Sequence, residues 1–167
     1  MENWPEFRPT RLIARLCDAG VDFVVVGGVA VVVQASPRFT DDLDICYATD
    51  PGNVQRLGSL LTVLDAKLRG IDEDLPFVAD ARTLRQAQLL TLITTEGALD
   101  LLVDPPGSAG YAGLRRRADR IDLDGNSVLI ASLEDLIAMK RAAGRPQDLV
   151  DLESLDVARR RRGARRT

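Results

Sequence analysis

A run of β-branched residues broken by two glycines, Val24-Val25-Val26-Gly27-Gly28-Val29-Ala30-Val31-Val32-Val33, constrains this chain more than any other segment. Asp22 to Val26 reads as a buried strand ending at the glycines. Beyond them the local sequence leaves two conformations open. By propensity Val29 to Val33 is a second strand and Gly-Gly a two-residue hairpin turn, although tertiary context can turn the same valines into a helix. The hairpin is a purely structural device. The helix sets backbone amides and the positive end of a dipole behind a glycine pair, an arrangement that receives phosphate.

Fourteen residues beyond the glycines lies Thr40-Asp41-Asp42-Leu43-Asp44. On a strand, Asp42 and Asp44 point to one face about 6.5 to 7 Å apart, and Leu43 and Ile45 point to the other, so one face packs while the other carries acid. Converging carboxylates suit hard Mg²⁺, which takes carboxylate oxygens together with substrate phosphates. Paired metals about 3.5 to 4 Å apart clamp both the attacking and the leaving oxygen of a phosphoryl displacement. An acidic pair alone is common on solvated strand ends, so its meaning depends on context. Cys46 shares the acidic face and reads as a small buried hydrophobe.

The remaining chemistry is narrowed by what the chain lacks. Its 167 residues include no histidine, which removes Ser-His-Asp and Cys-His catalysis and His-based zinc sites, leaving carboxylates, lysine and hydroxyls. Cys17 and Cys46 are too few for a disulfide framework, and Met1-Glu2-Asn3-Trp4-Pro5 is not an apolar leader, so a reducing cytoplasm is expected. No apolar stretch reaches the roughly 20 residues of a membrane-spanning helix, and no membrane role is expected. The length suits one domain, placed at 1–158, with residues 159–167 as a flexible basic tail. The formal charge is −3, and the tail's six arginines leave the preceding 158 residues at −9. A basic end on an acidic body steers toward a polyanion while the body's acids hold cations.

Periodicity predicts the other elements. Pro9 to Ala19 is a helix capped by Gly20; Leu43 to Ala48 is a strand; Pro51 opens a helix to about Ala66 with Val54, Leu57, Leu60, Leu61 and Leu64 as its stripe. Residues 70–80 read as an acidic loop. Leu89–Thr94 with Ala98–Val103, and Arg120–Leu123 with Ser127–Ala131, are two hairpins, the second turning on Asp124-Gly125-Asn126. Ser132 caps a helix that Gly144 stops, and Pro146 opens a last helix with Leu149, Leu152 and Leu155 toward the core.

Strand, Gly-Gly, thirteen residues and Asp-Leu-Asp resemble the signature of the nucleotidyltransferase superfamily. The resemblance favours a helix at Val29 and implies an α/β (α+β) fold, a mixed β-sheet flanked by helices in a single domain. It also implies a third carboxylate on a later strand, matched by Asp100 in Leu99-Asp100-Leu101, with Asp104 as the fallback. Within the superfamily, Arg38-Phe39-Thr40 and the segment from Lys140 through Arg145, Asp148 and Asp151 resemble the AbiEii-like branch, with its R-x-T/S-x-D-L-D and K-x-x-A…R-x-x-D-x-x-D-L runs. That branch includes toxins of bacterial toxin/antitoxin pairs, some of which transfer pyrimidine nucleotides to the 3′ end of tRNA and block aminoacylation. By this resemblance Asp42, Asp44 and Asp100 hold Mg²⁺, with Mn²⁺ as the alternative. Gly27, Gly28, Arg38 and Thr40 receive a nucleoside triphosphate, Lys140 neutralises phosphate charge, and Asp148 orients it. A tRNA is the implied acceptor and an antitoxin protein the implied partner. Two rivals stay open, a transferase acting on a protein or drug-like hydroxyl and an inactive binding module of the same fold. The clusters Arg115-Arg116-Arg117-Arg120 and Arg159 to Arg166 suit RNA phosphates, and with only seven aromatic residues in the chain no base-stacking platform interleaves them.

Overall fold

In the computed structural model, which describes residues 4–71 and 77–166, a mixed sheet is assembled from strands far apart in the chain. The elements are α1 (Pro9–Asp18), β1 (Phe23–Val26), α2 (Gly27–Gln34), β2 (Asp42–Tyr47), α3 (Pro51–Val63), β3 (Lys67–Leu68), α4 (Ala81–Gln86), β4 (Leu89–Thr94), β5 (Gly97–Leu102), α5 (Gly110–Arg117), β6 (Asp119–Leu123), β7 (Asn126–Ile130), α6 (Leu133–Ala143) and α7 (Pro146–Ala164). The sheet runs β3-β4-β5-β2-β1-β7-β6. Hairpins supply the antiparallel β4–β5 and β6–β7 pairs, whereas β2–β5 and β1–β7 are parallel and need long crossovers.

The valines after Gly28 are helical. Val29, Ala30 and Val31 are buried, and α2 packs on β1, β2, α6 and α7, so burial overrides the strand preference of valine. Its far end is fixed by Gln34, whose Nε2 donates to Ala131 O at 2.8 Å and Asp119 Oδ2 at 2.7 Å. Both hairpins form. The α3 stripe of Val54, Leu57, Leu60 and Leu61 is buried in the core with Leu43, Ile45, Leu99 and Leu101.

Several elements differ from the sequence expectation. The two-residue β3 and the short α4 and α5 were not anticipated; α4 is capped by Asp80, whose carboxylate accepts from Thr83 N–H at 2.8 Å. In α7 the buried face is Asp148, Asp151 and Leu155, while Leu149 is 58% exposed and does not face the core. The reason is polar: the carboxylates claim the inward positions to meet cations from other elements. The helix also runs through Arg159–Arg162 to Ala164, so no helix end marks residue 158. Arg162 ties that stretch down, donating to Gln34 Oε1 at 2.5 Å and pairing with Asp119 at 3.3 Å. Of the expected acidic loop, residues 72–76 lie outside the described residues. Among the described residues no helix is long and apolar enough to cross a membrane.

Candidate active site

Asp44 sits between two informative neighbours. In the antiparallel register it pairs with Val26, the residue before the glycines, and in the parallel register it pairs with Asp100 of β5. Asp42 lies two residues back on β2, so all three carboxylates leave the sheet on one face. Asp100 stands on an interior strand, because β5 is flanked by β4 and β2.

The glycines close the other wall. Gly27 adopts φ +63°, and a Cβ there would overlap the Asp44 carboxylate. A Cβ on Gly28 would come within 2.7 Å of Thr40 Oγ1 and 2.8 Å of Arg38 Nη2. The Gly28 N–H donates to Asp44, so the amino end of α2 meets the acid cluster directly. Burial raises the Asp44 pKa to about 7, with the charges of Asp42 and Asp100 adding to it and Lys140 and the Gly28 amide opposing. Burial likewise lifts Asp100 to about 6, against the pull of Arg69. Carboxylates held this close without full solvation call for a cation.

The basic half comes from α6 and α7. Lys140 is 7% exposed, and its Nζ lies 3.0 Å from Asp148 Oδ1 and 2.9 Å from Asp151 Oδ2. Arg145 binds Asp148 Oδ2 through Nε at 2.8 Å. Arg38 Nη2 donates to Asp151 Oδ2 at 3.1 Å, and its Nε stands 2.8 Å from Oδ1 as an ion pair without hydrogen-bond geometry. Burial opposes the charged form of Asp148, but hydrogen bonds from Arg145 and Lys140 outweigh it and hold the pKa at about 2. Three cations and two carboxylates leave this cluster net positive beside the acids. Asp148 and Asp151 thus hold Lys140, Arg145 and Arg38 together through ion pairs.

Other anticipated residues take lesser places. Thr40 Oγ1 is turned to Asp42 O at 3.3 Å. Asp104 is exposed beyond the end of β5 and is not part of the Asp44–Asp100 pairing. Cys46 is buried, its thiol pushed up to about 12 by burial, which fits the packing role. One residue escaped sequence reasoning. Arg69, just after β3, reaches Asp100 Oδ1 through Nη2 at 2.7 Å and Asp42 Oδ2 through Nη1 at 3.6 Å. Nothing in Lys67-Leu68-Arg69-Gly70 marks it, since its partners are 27 and 31 residues away in opposite directions.

The carboxylate oxygens of Asp42, Asp44 and Asp100, on two adjacent strands, have the donor chemistry for Mg²⁺ or Mn²⁺. Among the described residues no group of three such ligands forms a ready-made metal cage.

A mixed sheet with two acids on one strand, a third in register on the next and a Gly-Gly helix start beside them is the nucleotidyltransferase fold. Solved structures bear out that class. The lincosamide antibiotic adenylyltransferase LnuA, bound to lincomycin, superposes with a TM-score of 0.58 at 15% identity, covering 90% of this chain and 98% of that one. The enzyme ANT(2″)-Ia in complex with adenylyl-2″-tobramycin gives 0.52 at 16% identity over 95% and 98% of the two chains. A solution structure of the same antibiotic-resistance factor gives 0.52 at 15% identity over 93% and 91%. At these identities the likeness is one of fold. No protein-family model matches this chain, and comparison with curated proteins gives no match.

Proposed function

We propose that this chain is a metal-dependent nucleotidyltransferase toxin that moves a nucleotide from a nucleoside triphosphate to an RNA hydroxyl, at the 3′ acceptor end of tRNA, with an antitoxin protein as its partner. The observation that carries the transfer chemistry is the register of Asp44 with Asp100 beside the amino end of α2. Bound divalent metal would be held by Asp42, Asp44 and Asp100 and would supply neutralisation of phosphate charge. The amino end of α2, past the Gly28 amide already given to Asp44, would face phosphate oxygens, and Lys140, fixed by Asp148 and Asp151, offers its ammonium to the same anion. The RNA hydroxyl attacks the α-phosphorus, the bond from that phosphorus to the bridging oxygen breaks, and pyrophosphate leaves with the electron pair. The hydroxyl proton passes to a carboxylate of the site as the new bond to phosphorus forms. Positioning and electrostatics suffice for such a transfer.

The acceptor reading rests on charge. Arg160, Arg161, Arg165 and Arg166 are exposed and have no acidic partner among the described residues, and the Arg145 side chain is 73% exposed beside the site. Such a surface suits a polyanion better than a cationic drug. The antibiotic substrates of the similar folds support the rival acceptor, a small alcohol. Incubation with each labelled nucleoside triphosphate, Mg²⁺ and total tRNA, beside Asp42→Ala, separates them. We expect label in tRNA with one nucleotide and none with the variant. Label only in an added aminoglycoside or lincosamide, or only in protein, overturns the RNA reading.

A further inference from the structure

We propose that Arg69 is an internal cation of the acid site, and that its guanidinium and a divalent metal are alternative occupants of the same carboxylates. The inference rests on reading Asp42, Asp44 and Asp100 as metal ligands.

Arg69 spans acids from two different strands, with Nη2 at 2.7 Å from Asp100 Oδ1 and Nη1 at 3.6 Å from Asp42 Oδ2. Among the described residues it is the cation ion-paired to these acids; Lys140, Arg38 and Arg145 are committed to Asp148 and Asp151. Its side chain is 20% exposed and that of Asp100 is 11%, so the pair is largely withdrawn from water. The backbone is anchored, since Arg69 N–H donates to Thr91 O at 2.9 Å and Thr91 is the cross-strand partner of Asp100. The guanidinium thus extends from an anchored backbone, with its head on carboxylates of two strands.

A guanidinium does not lose its proton in a protein, so it cannot make room by becoming neutral. It yields the carboxylate oxygens only by moving. While it spans Asp42 and Asp100 it supplies positive charge to acids that repel one another, which stabilises the fold. The same contact lowers the apparent affinity for metal, because the competent arrangement is only part of the population. Arg69 thus sets the metal concentration at which the site becomes active.

The test is Mn²⁺ binding without nucleotide, monitored by calorimetry and by manganese electron spin resonance, together with thermal unfolding in EDTA and in Mn²⁺. Arg69→Met is expected to bind Mn²⁺ about tenfold tighter than wild type, to melt lower in EDTA and to gain more from metal. Arg69→Lys, which keeps the charge, should lie nearer wild type. Arg69→Gln covers the case in which the methionine variant fails to fold. Equal or weaker Mn²⁺ binding in Arg69→Met and Arg69→Gln, with Asp42→Ala abolishing it, overturns the Arg69 inference and leaves the metal site standing. No Mn²⁺ binding by wild type or any Arg69 variant, either alone or with a nucleoside triphosphate added, overturns the metal reading itself and this inference with it.

Discussion

At Gly27 two requirements coincide, a left-handed backbone at φ +63° and no room for a methyl group against Asp44. Gly27→Ala should cost about 1 to 2 kcal/mol for the backbone alone, seen as a lower urea midpoint. Displacing the Asp44 carboxylate should slow nucleotide transfer about 100-fold, read in single-turnover assays. Unchanged transfer would mean that Asp44 moves without consequence. Residues of this kind are legible in sequence to different degrees. Asp42, Asp44 and Asp100 could be found because strand alternation and flanking apolar residues advertise an acid facing away from the core. Arg69 could not, because a lone arginine at a strand end looks the same whether it meets water or two carboxylates.

Among the elements, the corner between α6 and α7 shows how a helix start serves a site. Gly144 turns the chain at φ +63°, Pro146 opens α7, and Asp148 accepts from Arg145 N–H at 3.0 Å while binding Lys140 and the Arg145 side chain. Its folded pKa of about 2 lies below the ordinary carboxylate value, so its contribution is complete above about pH 4 and is lost as pH falls toward 2. The contribution is on the order of 2 kcal/mol. Asp148→Asn should therefore lower stability by about that amount at pH 7 and by little at pH 2. Urea unfolding at both pH values checks it; an equal loss at both would show that the cause is packing. The Gly144 stop and Pro146 start were readable, since each residue type has one favoured place at a helix end. Helix α2 was not readable by propensity, and its burial against strands and helices decided it. The inward face of α7 was misjudged for a related reason: leucine spacing cannot reveal that carboxylates will be held inside by cations from elsewhere.

Across the whole molecule, negative charge is gathered at the sheet face and positive charge along the far half of α7. If the four unpaired arginines there each grip an RNA phosphate, raising salt from about 50 to 200 mM should weaken tRNA binding roughly 50- to 150-fold. Changing Arg160, Arg161, Arg165 and Arg166 together to Gln should flatten that slope and leave nucleotide binding unaltered. Filter binding over a salt series measures both, and an unchanged slope would place the RNA contacts elsewhere. The sheet order was the least legible property at this scale. Hairpins announce themselves through their turns, but parallel pairing of β2 with β5 carries no local mark.

That parallel pairing also governs when the site can exist. Asp44 gains Asp100 only after β5 has docked across the intervening chain, and Lys140 gains its partners only once α7 is in place. A polypeptide still emerging from a ribosome would hold scattered acids and no site. The site therefore assembles only after the chain through Asp151 has been made and has folded back onto the sheet.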